Sequence, residues 1–481
     1  MPQSEYDPGF AAFGGGTSST LLHPVVLVAM IVAIALMLLL PRKYVIVPVL
    51  LALILIPAGQ HLYIAGVHVY VHRILILGGW MRLLWTKLSS PGSLLPGGFN
   101  TLDKVFATWA ICRCLAVIVR YSHMAAVVNQ VGFLWDFVLG YFLIRALIRD
   151  DDDIQRALKT LSLVALVVAV GMVIEHITLQ NMFGRLGGIR SLPEVRNGRI
   201  RAQGVFRHAL LAGCFGATMF PLFLWLWKRG RSHLAAIIGV ASSIVIVYTA
   251  STSTPLLTLF AAIFAICCWP LRKHLSPVRW AFVMVIFSLH LVMKAPVWFL
   301  IARIDLVGGS TGYHRAMLID QFIKRFGEWW LIGTSNNQNW GFDMWDTANQ
   351  FVAEGQVGGL FVFACFIAIF TICFLRIGNA RKVAEGDHKK EWMFWLFGAA
   401  LFAQVMAYFG VSYFDQMRFV WFTMLAMISA TTASLLQANA LVGPGVNMDV
   451  PGARLGYALA TASPGTRVGC SRVLLPPADR R

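Results

Sequence analysis

Two polar segments of the chain carry the residue types that could do chemistry, and both contain arginines. The first, residues 179–207, holds six arginines and no lysine against one acidic residue, Glu194. A guanidinium group binds phosphate through two parallel hydrogen bonds, whereas lysine would serve equally well to keep a loop soluble. The composition therefore predicts a phosphate-binding segment. The alternative is a solvated loop.

The second polar segment, 297–355, is too long for a connection without structure of its own. Apolar residues at helical spacing predict an amphipathic helix near 312–328 that lies along the membrane surface. Arg303 and Arg315 are candidate phosphate ligands in this segment, with the alternative that Arg303 pairs with Asp305. The tryptophans of the segment either anchor it in the headgroup zone or stack on sugar rings.

Groups that could move a proton lie beside these arginines. Histidine and carboxylate side chains can both accept the proton of an attacking hydroxyl. Each also has a structural explanation, since a lone histidine in a loop is often only solvated and an aspartate can cap a helix. The candidates for catalysis are His208, His314, Asp346 and Glu354, and Asn349 is a candidate for substrate binding.

Long apolar blocks must position these segments. Hydrophobic residues make up 58% of the chain and charged residues only 13%, about half the charged fraction of a soluble domain. A block that crosses roughly 30 Å of hydrocarbon is expected to be helical, because a helix satisfies its backbone polar groups internally. The sequence predicts an all-α polytopic transmembrane bundle of twelve or thirteen spans. The expected spans are 21–40, 44–60, 68–85, 103–120, 127–148, 158–178, 208–227, 233–250, 254–270, 279–296, 356–376, 391–411 and 415–437.

The formal net charge of +18 would indicate a nucleic-acid partner in a soluble protein, but here its distribution indicates topology. Lysine and arginine cluster on alternating sides of the spans, and placing these clusters in the cytoplasm satisfies the positive-inside rule. Membrane lipids are expected partners and nucleic acid is not. Segments 179–207 and 297–355 then lie outside. Residues 1–437 form the membrane domain, and 438–481 are expected to be a disordered cytoplasmic tail.

Four sequence motifs follow one another in the second half of the chain. They are Arg201-Ala-Gln-Gly-Val-Phe-Arg-His-Ala-Leu-Leu-Ala-Gly, then Ser251-Thr-Ser-Thr-Pro-Leu-Leu, then Gly309-Ser-Thr-Gly-Tyr-His-Arg315 with Trp329-Trp-Leu-Ile-Gly333, and finally Asp346-Thr-Ala-Asn-Gln-Phe-Val-Ala-Glu-Gly-Gln-Val-Gly-Gly359. Their order and their placement on one side of the membrane resemble the O-antigen ligase/polymerase superfamily. The resemblance covers about 200–437.

The resemblance implies a glycosyltransferase of the bacterial inner membrane, with a GT-C-like architecture and a periplasmic active face. Such enzymes transfer a glycan from undecaprenyl diphosphate without a metal or other cofactor. The acceptor is another lipid-linked repeat for a polymerase, or lipid A core for a ligase. Arginines of the outer loops bind the diphosphate in the family, and Arg201 or Arg207 and Arg315 match them by position. The family's loop histidine corresponds to Ala348 here, although Asn349 is retained. The base therefore stays open among His208, His314, Asp346 and Glu354.

The main alternative is a membrane transporter or a flippase of lipid-linked oligosaccharide. Transporters tend to show internal repeats and ionisable residues at the mid-depth of broken helices. This chain has no convincing repeat, and its unexplained charge lies in the outer segments. An O-antigen or exopolysaccharide polymerase is favoured over a ligase, because the signature has diverged at its histidine and nothing points to lipid A core.

Labelling of introduced cysteines tests the predicted topology. In a variant without native cysteines, single cysteines near 190 and 320 should react with a membrane-impermeant thiol reagent applied from outside. A cysteine near 385, within a basic cluster, should react only after permeabilisation, because basic clusters stay inside. If positions near 190 and 320 react only when the reagent reaches the cytosol, both segments lie inside. The predicted external site would then contain none of its residues.

Overall fold

The computed structural model describes residues 19–89, 94–95, 97–228, 232–303 and 312–442. The chain is mostly helical, and a helix occupies each of the expected spans. The helices are α1 (Pro24–Leu39), α2 (Arg42–Leu55), α3 (Val71–Ser89), α4 (Thr101–Tyr121), α5 (Met124–Leu147), α6 (Asp151–Thr178), α7 (Ala209–Lys228), α8 (His233–Ala250), α9 (Ser253–Cys267), α10 (Leu275–Val292), α11 (Gly312–Lys324), α12 (Phe326–Trp329), α13 (Gln350–Val383), α14 (His388–Tyr408) and α15 (Met417–Val442).

Six of the described helices are long and apolar enough to cross a membrane, namely α5, α6, α7, α8, α10 and α13. Three shorter apolar helices, α1, α9 and α15, join them. The expectation of a helical membrane protein is confirmed. The larger number of crossings stays a prediction, because α2, α3, α4 and α14 are not among these apolar helices.

One end of the bundle, which we call the hairpin end, carries both arginine-containing segments. The Gln60 side chain, after α2, donates to the Leu186 carbonyl of the first segment at 2.6 Å. The Gln416 side chain, before α15, donates to the Val205 carbonyl at 3.0 Å. In the same loop before α15, the Tyr413 amide donates to the side chain of Gln350, in the second segment, at 2.6 Å. Both segments are thus bonded to the loop before α15.

The opposite end of the bundle gathers several of the basic clusters. Arg42, between α1 and α2, pairs with Asp153 at the start of α6 at 2.8 Å. Arg272, after α9, lies 3.7 Å from Glu391 of α14. Both contacts involve residues of basic loops that the sequence places in the cytoplasm, and that placement stays a prediction.

Two β-hairpins at the hairpin end were not predicted. Strands β1 (His61–Ile64) and β2 (Val67–Tyr70) pair antiparallel between α2 and α3, and β3 (Glu194–Arg196) pairs with β4 (Arg199–Arg201). The turn of the second hairpin is Asn-Gly at 197–198, with φ of 51° and 72°. Positive φ at both positions is the geometry that twisted hairpins favour, and Asn-Gly is its strongest sequence signal. The segment 179–207 is thus built around a hairpin.

The amphipathic helix expected near 312–328 is present as α11, which ends at Lys324, followed by the short α12. Its apolar face packs into a small core of its own, in which Phe322 stacks on Trp329 at 3.9 Å between ring centroids. Trp340 is buried in the same core. Trp329 and Trp340 therefore stabilise the second segment from within, and the expectation that they anchor in the headgroup zone is wrong for these two.

Helix α13 begins before its expected span and is broken near its start. Gly359 has φ of 78°, and the next amide, of Leu360, donates to the Trp330 carbonyl at 2.7 Å. One Nη of Arg120, from α4, donates to the carbonyls of Ile332, Gln356 and Val357 at 3.0 Å each. The guanidinium thus satisfies carbonyls that the break would otherwise leave unpaired.

The carboxyl-terminal tail begins later than expected. Helix α15 continues to Val442, so positions 438–442 are helical. The remainder of the predicted tail, 443–481, lies outside the described residues.

The break in α13 generates a prediction for two glycines of the same helix. Gly359→Ala should lower the melting temperature in detergent, because a Cβ would meet the Leu331 backbone at a left-handed φ, with a cost of about 1–3 kcal/mol. Gly378→Ala is the control, since a Cβ there meets no neighbour and alanine favours a helix interior by about 1 kcal/mol. Equal melting temperatures for the two variants would contradict the described break.

Candidate functional site

The hairpin β3–β4 is fixed at its base by a buried carboxylate. Glu175, near the end of α6, accepts hydrogen bonds from the backbone amides of Gln203 at 3.1 Å and Gly204 at 2.7 Å. The Asn181 side chain donates to the Gly204 carbonyl at 2.7 Å. These bonds hold the two ends of the first segment together at the end of α6. The hairpin between them, with its arginines, is therefore fixed at its base.

Glu194 is the acidic partner within this basic segment. The strand register places it opposite Arg201, whose Nη1 lies 3.4 Å from Glu194 Oε1. The other carboxylate oxygen lies 3.7 Å from Nε2 of His208. Burial lowers the pKa of Arg201, and Glu194 opposes that effect. Glu194 is thus the shared acidic partner of Arg201 and His208. The first segment therefore keeps an excess of positive charge.

An open cavity of about 470 Å³ lies beside the hairpin. The cavity is lined by Gly188, Ile189, Arg190, Arg207, His208 and Phe414. This volume is within the range of small-molecule sites. Arg207 is half-exposed and its Nε lies 3.2 Å from Asp415, so its guanidinium is oriented while part of it still faces solvent. The cavity therefore offers an electropositive surface to an anion.

Arg315, in the first turn of α11, brings the second segment to the same place. Its side chain is buried, and its Nε makes no hydrogen bond within the part of the chain that the structure describes. Burial lowers the pKa of Arg315, Cys214 and Asp346 oppose this, and the like charges of Arg196 and Arg201 add to it. Charges of both segments therefore act on the Arg315 guanidinium.

Asp346 is the candidate base that lies within this group. Its side chain is exposed, and its charge acts on the pKa of both His208 and Arg315. It does not cap the helix that follows, because α13 starts at Gln350 and the cap is Asn349, whose side-chain oxygen accepts from Val352 at 3.2 Å. The Asp346 carboxylate is therefore not used as that cap.

The two candidate histidines differ in whether a ring nitrogen remains free to accept a proton. Nδ1 of His208 accepts from the Leu210 amide at 3.2 Å, so a neutral ring carries its proton on Nε2 and has no free lone pair. Burial lowers the pKa of His208, which favours that neutral ring. Nε2 of His314 lies 2.9 Å from the Asp343 carbonyl and must donate to it, which leaves Nδ1 free to accept a proton. The geometry makes His208 a donor and His314 a possible acceptor.

Glu354 and Asn349 are both buried, the first within α13 and the second at its start. Glu354 accepts from the Trp109 indole at 3.0 Å and from Gln350 at 2.7 Å, and it lies 3.3 Å from Nε of Arg113. These contacts join α13 to α4. The structure therefore does not bring Glu354 to the arginines around Arg315. The bonds of Glu354 indicate that it positions α13 against α4.

Arg303 ends a short 3-10 turn, Val297–Arg303, and is exposed. The alternative that it pairs with Asp305 concerns a residue outside the described ranges. Its contribution to substrate binding stays a prediction.

Several residues that shape the site escaped the sequence analysis. Asp415 has φ of 49° and contacts Arg207, and it also lies 3.9 Å from Arg418. Gln350 accepts from the Tyr413 amide at 2.6 Å and so ties the loop before α15 to α13. Asp415 follows an apolar span by only a few residues, and no spacing rule relates it to an arginine more than 200 positions earlier.

Charged groups within the helices have partners. Asp136, at a π-helical segment of α5, accepts from Arg73 at 2.9 Å and from Arg418 at 2.8 Å, and lies 3.1 Å from Nε2 of His72. Together with the Arg113–Glu354 pair, this network offsets part of the charge inside the bundle. Within the described ranges, no group of three or more His, Cys, Asp or Glu side chains is arranged to hold a metal ion.

A scan against protein-family models finds no match for this chain, and a search of curated proteins finds none that is significantly similar. The geometry of the site and the motifs of the sequence therefore carry the functional argument.

Proposed function

We propose that this chain is an integral membrane glycosyltransferase that transfers or polymerises oligosaccharide carried on undecaprenyl diphosphate. One observation carries the proposal. Arg315 is buried, its Nε lacks a partner among the described residues, and it lies within electrostatic reach of Arg196 and Arg201. A buried charge is costly unless it is paired, so such a group is suited to an anion supplied by the substrate. A diphosphate on a lipid carrier meets that need at the end of an apolar bundle.

The reaction would use charge stabilisation by arginine. The acceptor hydroxyl oxygen bonds to the anomeric carbon of the donor sugar while the bond from that carbon to the diphosphate oxygen breaks. Negative charge then grows on the leaving diphosphate, and Arg315, Arg201 and Arg207 stabilise it more strongly in the transition state than in the bound substrate. Holding both lipid-anchored substrates at one cavity supplies their mutual orientation.

Asp346 is the residue best placed to take the acceptor proton, because its carboxylate is exposed and acts on Arg315 and His208. His314 is the second candidate through its free Nδ1. His208 would donate a hydrogen bond to the substrate from the wall of the cavity. Asn349 caps α13 and Glu354 braces it, so both would act on the substrate only through the position of that helix.

The active face would be periplasmic, in the inner membrane of a bacterium, since the basic clusters at the opposite end favour the cytoplasm. The acceptor is another lipid-linked repeat for the polymerase that we favour, or lipid A core for a ligase. The alternative is a transporter or flippase of lipid-linked oligosaccharide. It has less support, because the charges within the helices are engaged with one another.

Deletion of the gene, followed by complementation with variants, tests the function. Loss of long-chain glycan with single repeats still attached to lipid A would support a polymerase, and complete chains stranded on the carrier would support a ligase. Arg315→Ala should abolish complementation without loss of the inserted protein, with transfer in purified protein reduced at least about 100-fold. Arg325→Ala, which breaks an exposed pair with Glu328 in the same segment, is the matched control and should transfer normally.

Two outcomes would argue against the enzyme. Normal transfer by the Arg315→Ala variant would remove the residue on which the proposal rests. Unchanged surface glycans in the deletion strain, together with loss of uptake of a solute, would favour the transporter.

A pair of substitutions distinguishes the two candidate bases. Asp346→Asn should lower the turnover number by about 10²–10⁴-fold, the usual range for loss of a general base. Carrier binding should be unchanged or stronger, since a negative charge near the diphosphate is removed. His314→Gln should lower turnover less than about tenfold if Asp346 is the base. The reverse ranking of the two variants, measured by single-turnover transfer, would assign the proton to His314.

A further inference from the structure

Arg190 is a cation of the open cavity that the proposed reaction leaves unused. No acidic side chain is among the residues that line the cavity. Two of the cationic groups in the lining have an acidic neighbour outside it, since Arg207 lies 3.2 Å from Asp415 and His208 lies 3.7 Å from Glu194. The exposed guanidinium of Arg190 makes no ion pair or hydrogen bond within the described ranges. A ligand of the cavity must therefore bring the anion that Arg190 lacks.

The backbone that carries this guanidinium is fixed. The carbonyl of Arg190 accepts from the Gln203 side chain at 3.4 Å, and the next carbonyl, of Ser191, accepts from the Asn181 amide at 2.8 Å. Gly184 packs so closely on the Arg190 carbonyl that a Cβ there would collide with it. A free side chain on a fixed backbone can bind a ligand without the cost of ordering a loop.

Phe414 gives the same cavity a flat apolar wall. Its side chain is 40% exposed. The neighbouring ring of Tyr413 packs on Tyr408 with centroids 4.7 Å apart, whereas Phe414 takes part in no ring pair of the described chain. The bond from the Tyr413 amide to Gln350 holds the loop in place. The Phe414 ring is therefore positioned by the protein and still available to a ligand.

The guanidinium and the aromatic ring together select a class of ligand. A guanidinium binds a carboxylate through two parallel, charge-assisted hydrogen bonds. The face of an aromatic ring is electron-rich, so the weakly positive C–H groups on one face of a sugar ring pack well against it. A volume of about 470 Å³ admits a sugar ring. A lipid chain would contact Phe414 and leave Arg190 unpaired, and an inorganic anion would do the reverse.

We propose that the cavity binds an acidic sugar of the lipid-linked glycan, with Phe414 packed on the sugar ring and Arg190 bound to its carboxylate. This inference rests on the proposed function and adds that the oligosaccharide itself is negatively charged. The excess of arginine in the first segment, six residues against Glu194, then attracts the glycan as well as its carrier.

The composition of the glycan is the first test. The glycan that is present in the wild-type strain and missing from the deletion strain should contain a sugar with a carboxylate group, such as a uronic acid. A repeat unit without a carboxylate would overturn this inference and leave the enzyme proposal standing.

Binding to the full-length protein in detergent, measured by calorimetric titration, tests the residues. The probes are the repeat unit released from that glycan, which lacks the diphosphate, and bare undecaprenyl diphosphate, which lacks the sugar. Arg190→Gln should weaken binding of the repeat unit at least about tenfold and leave binding of the bare carrier within twofold. Arg190→Lys should restore part of the affinity, because it keeps the charge and loses the two-point contact. Phe414→Leu should weaken binding of the repeat unit, and Phe414→Tyr should retain it.

Arg199→Gln is the matched control. Arg199 is an exposed arginine of the same segment, on β4, and it does not line the cavity. The substitution removes the same charge and should leave binding of the repeat unit within twofold. Both glutamine variants should melt at the wild-type temperature, because both side chains are exposed.

The outcomes separate this inference from the function on which it rests. An equal loss of affinity in the Arg190→Gln and Arg199→Gln variants would indicate a general effect of charge and overturn the site. Weaker binding of the bare carrier by Arg190→Gln, with unchanged binding of the repeat unit, would assign the cavity to the diphosphate and overturn the acidic-sugar site. Both results leave the enzyme proposal standing. Wild-type protein that binds neither probe would overturn the proposed function and the acidic-sugar site together.

Discussion

The burial of a guanidinium group whose Nε makes no hydrogen bond among the described residues is the constraint on which the proposed site depends. Arg315 stays protonated under all physiological conditions because of the intrinsic basicity of its group, so burial cannot be relieved by loss of the proton. Arg196 and Arg201 make the surroundings more positive, and Asp346 offsets them only in part. In the proposed function, a dianionic group bound here would relieve that unfavourable electrostatic energy. An affinity for diphosphate would then follow from how the two segments fold against each other.

The helices supply what the charges need. A helix satisfies its own backbone in lipid, so the spans can be apolar, and polar side chains are left to the ends. Where the chain departs from regular helix near the candidate site, specific side chains bind the freed backbone groups. Arg120 donates to carbonyls at the break of α13, and Glu175 accepts from the amides that follow β4. The backbone that carries the candidate site is thus held by side chains of neighbouring helices.

The sequence predicts the positions of the helices well, because apolar length is a local property. It also predicts α11 to within a few residues from the spacing of its apolar side chains. The hairpin β3–β4 could have been predicted, since Asn197-Gly198 between short β-prone stretches is a strong signal. The partners of Glu354 and the role of Asp415 could not, because they depend on which helices are neighbours. Periodicity gives the face that a helix buries, but it does not name the helix on which that face packs.

The difference between Arg207 and Arg315 shows why ion pairing within the protein decides which arginine would contribute most to binding a diphosphate. Arg207 contacts Asp415, which is itself shared with Arg418, and Arg418 donates to Asp136 at 2.8 Å. This series of ion pairs fixes the direction of the Arg207 guanidinium and compensates part of its charge before any substrate arrives. Arg315 receives no comparable compensation within the described chain. A diphosphate that contacts both arginines would be oriented by Arg207, because that side chain is already held. Most of its electrostatic binding free energy would come from Arg315, because that charge is unpaired among the described residues.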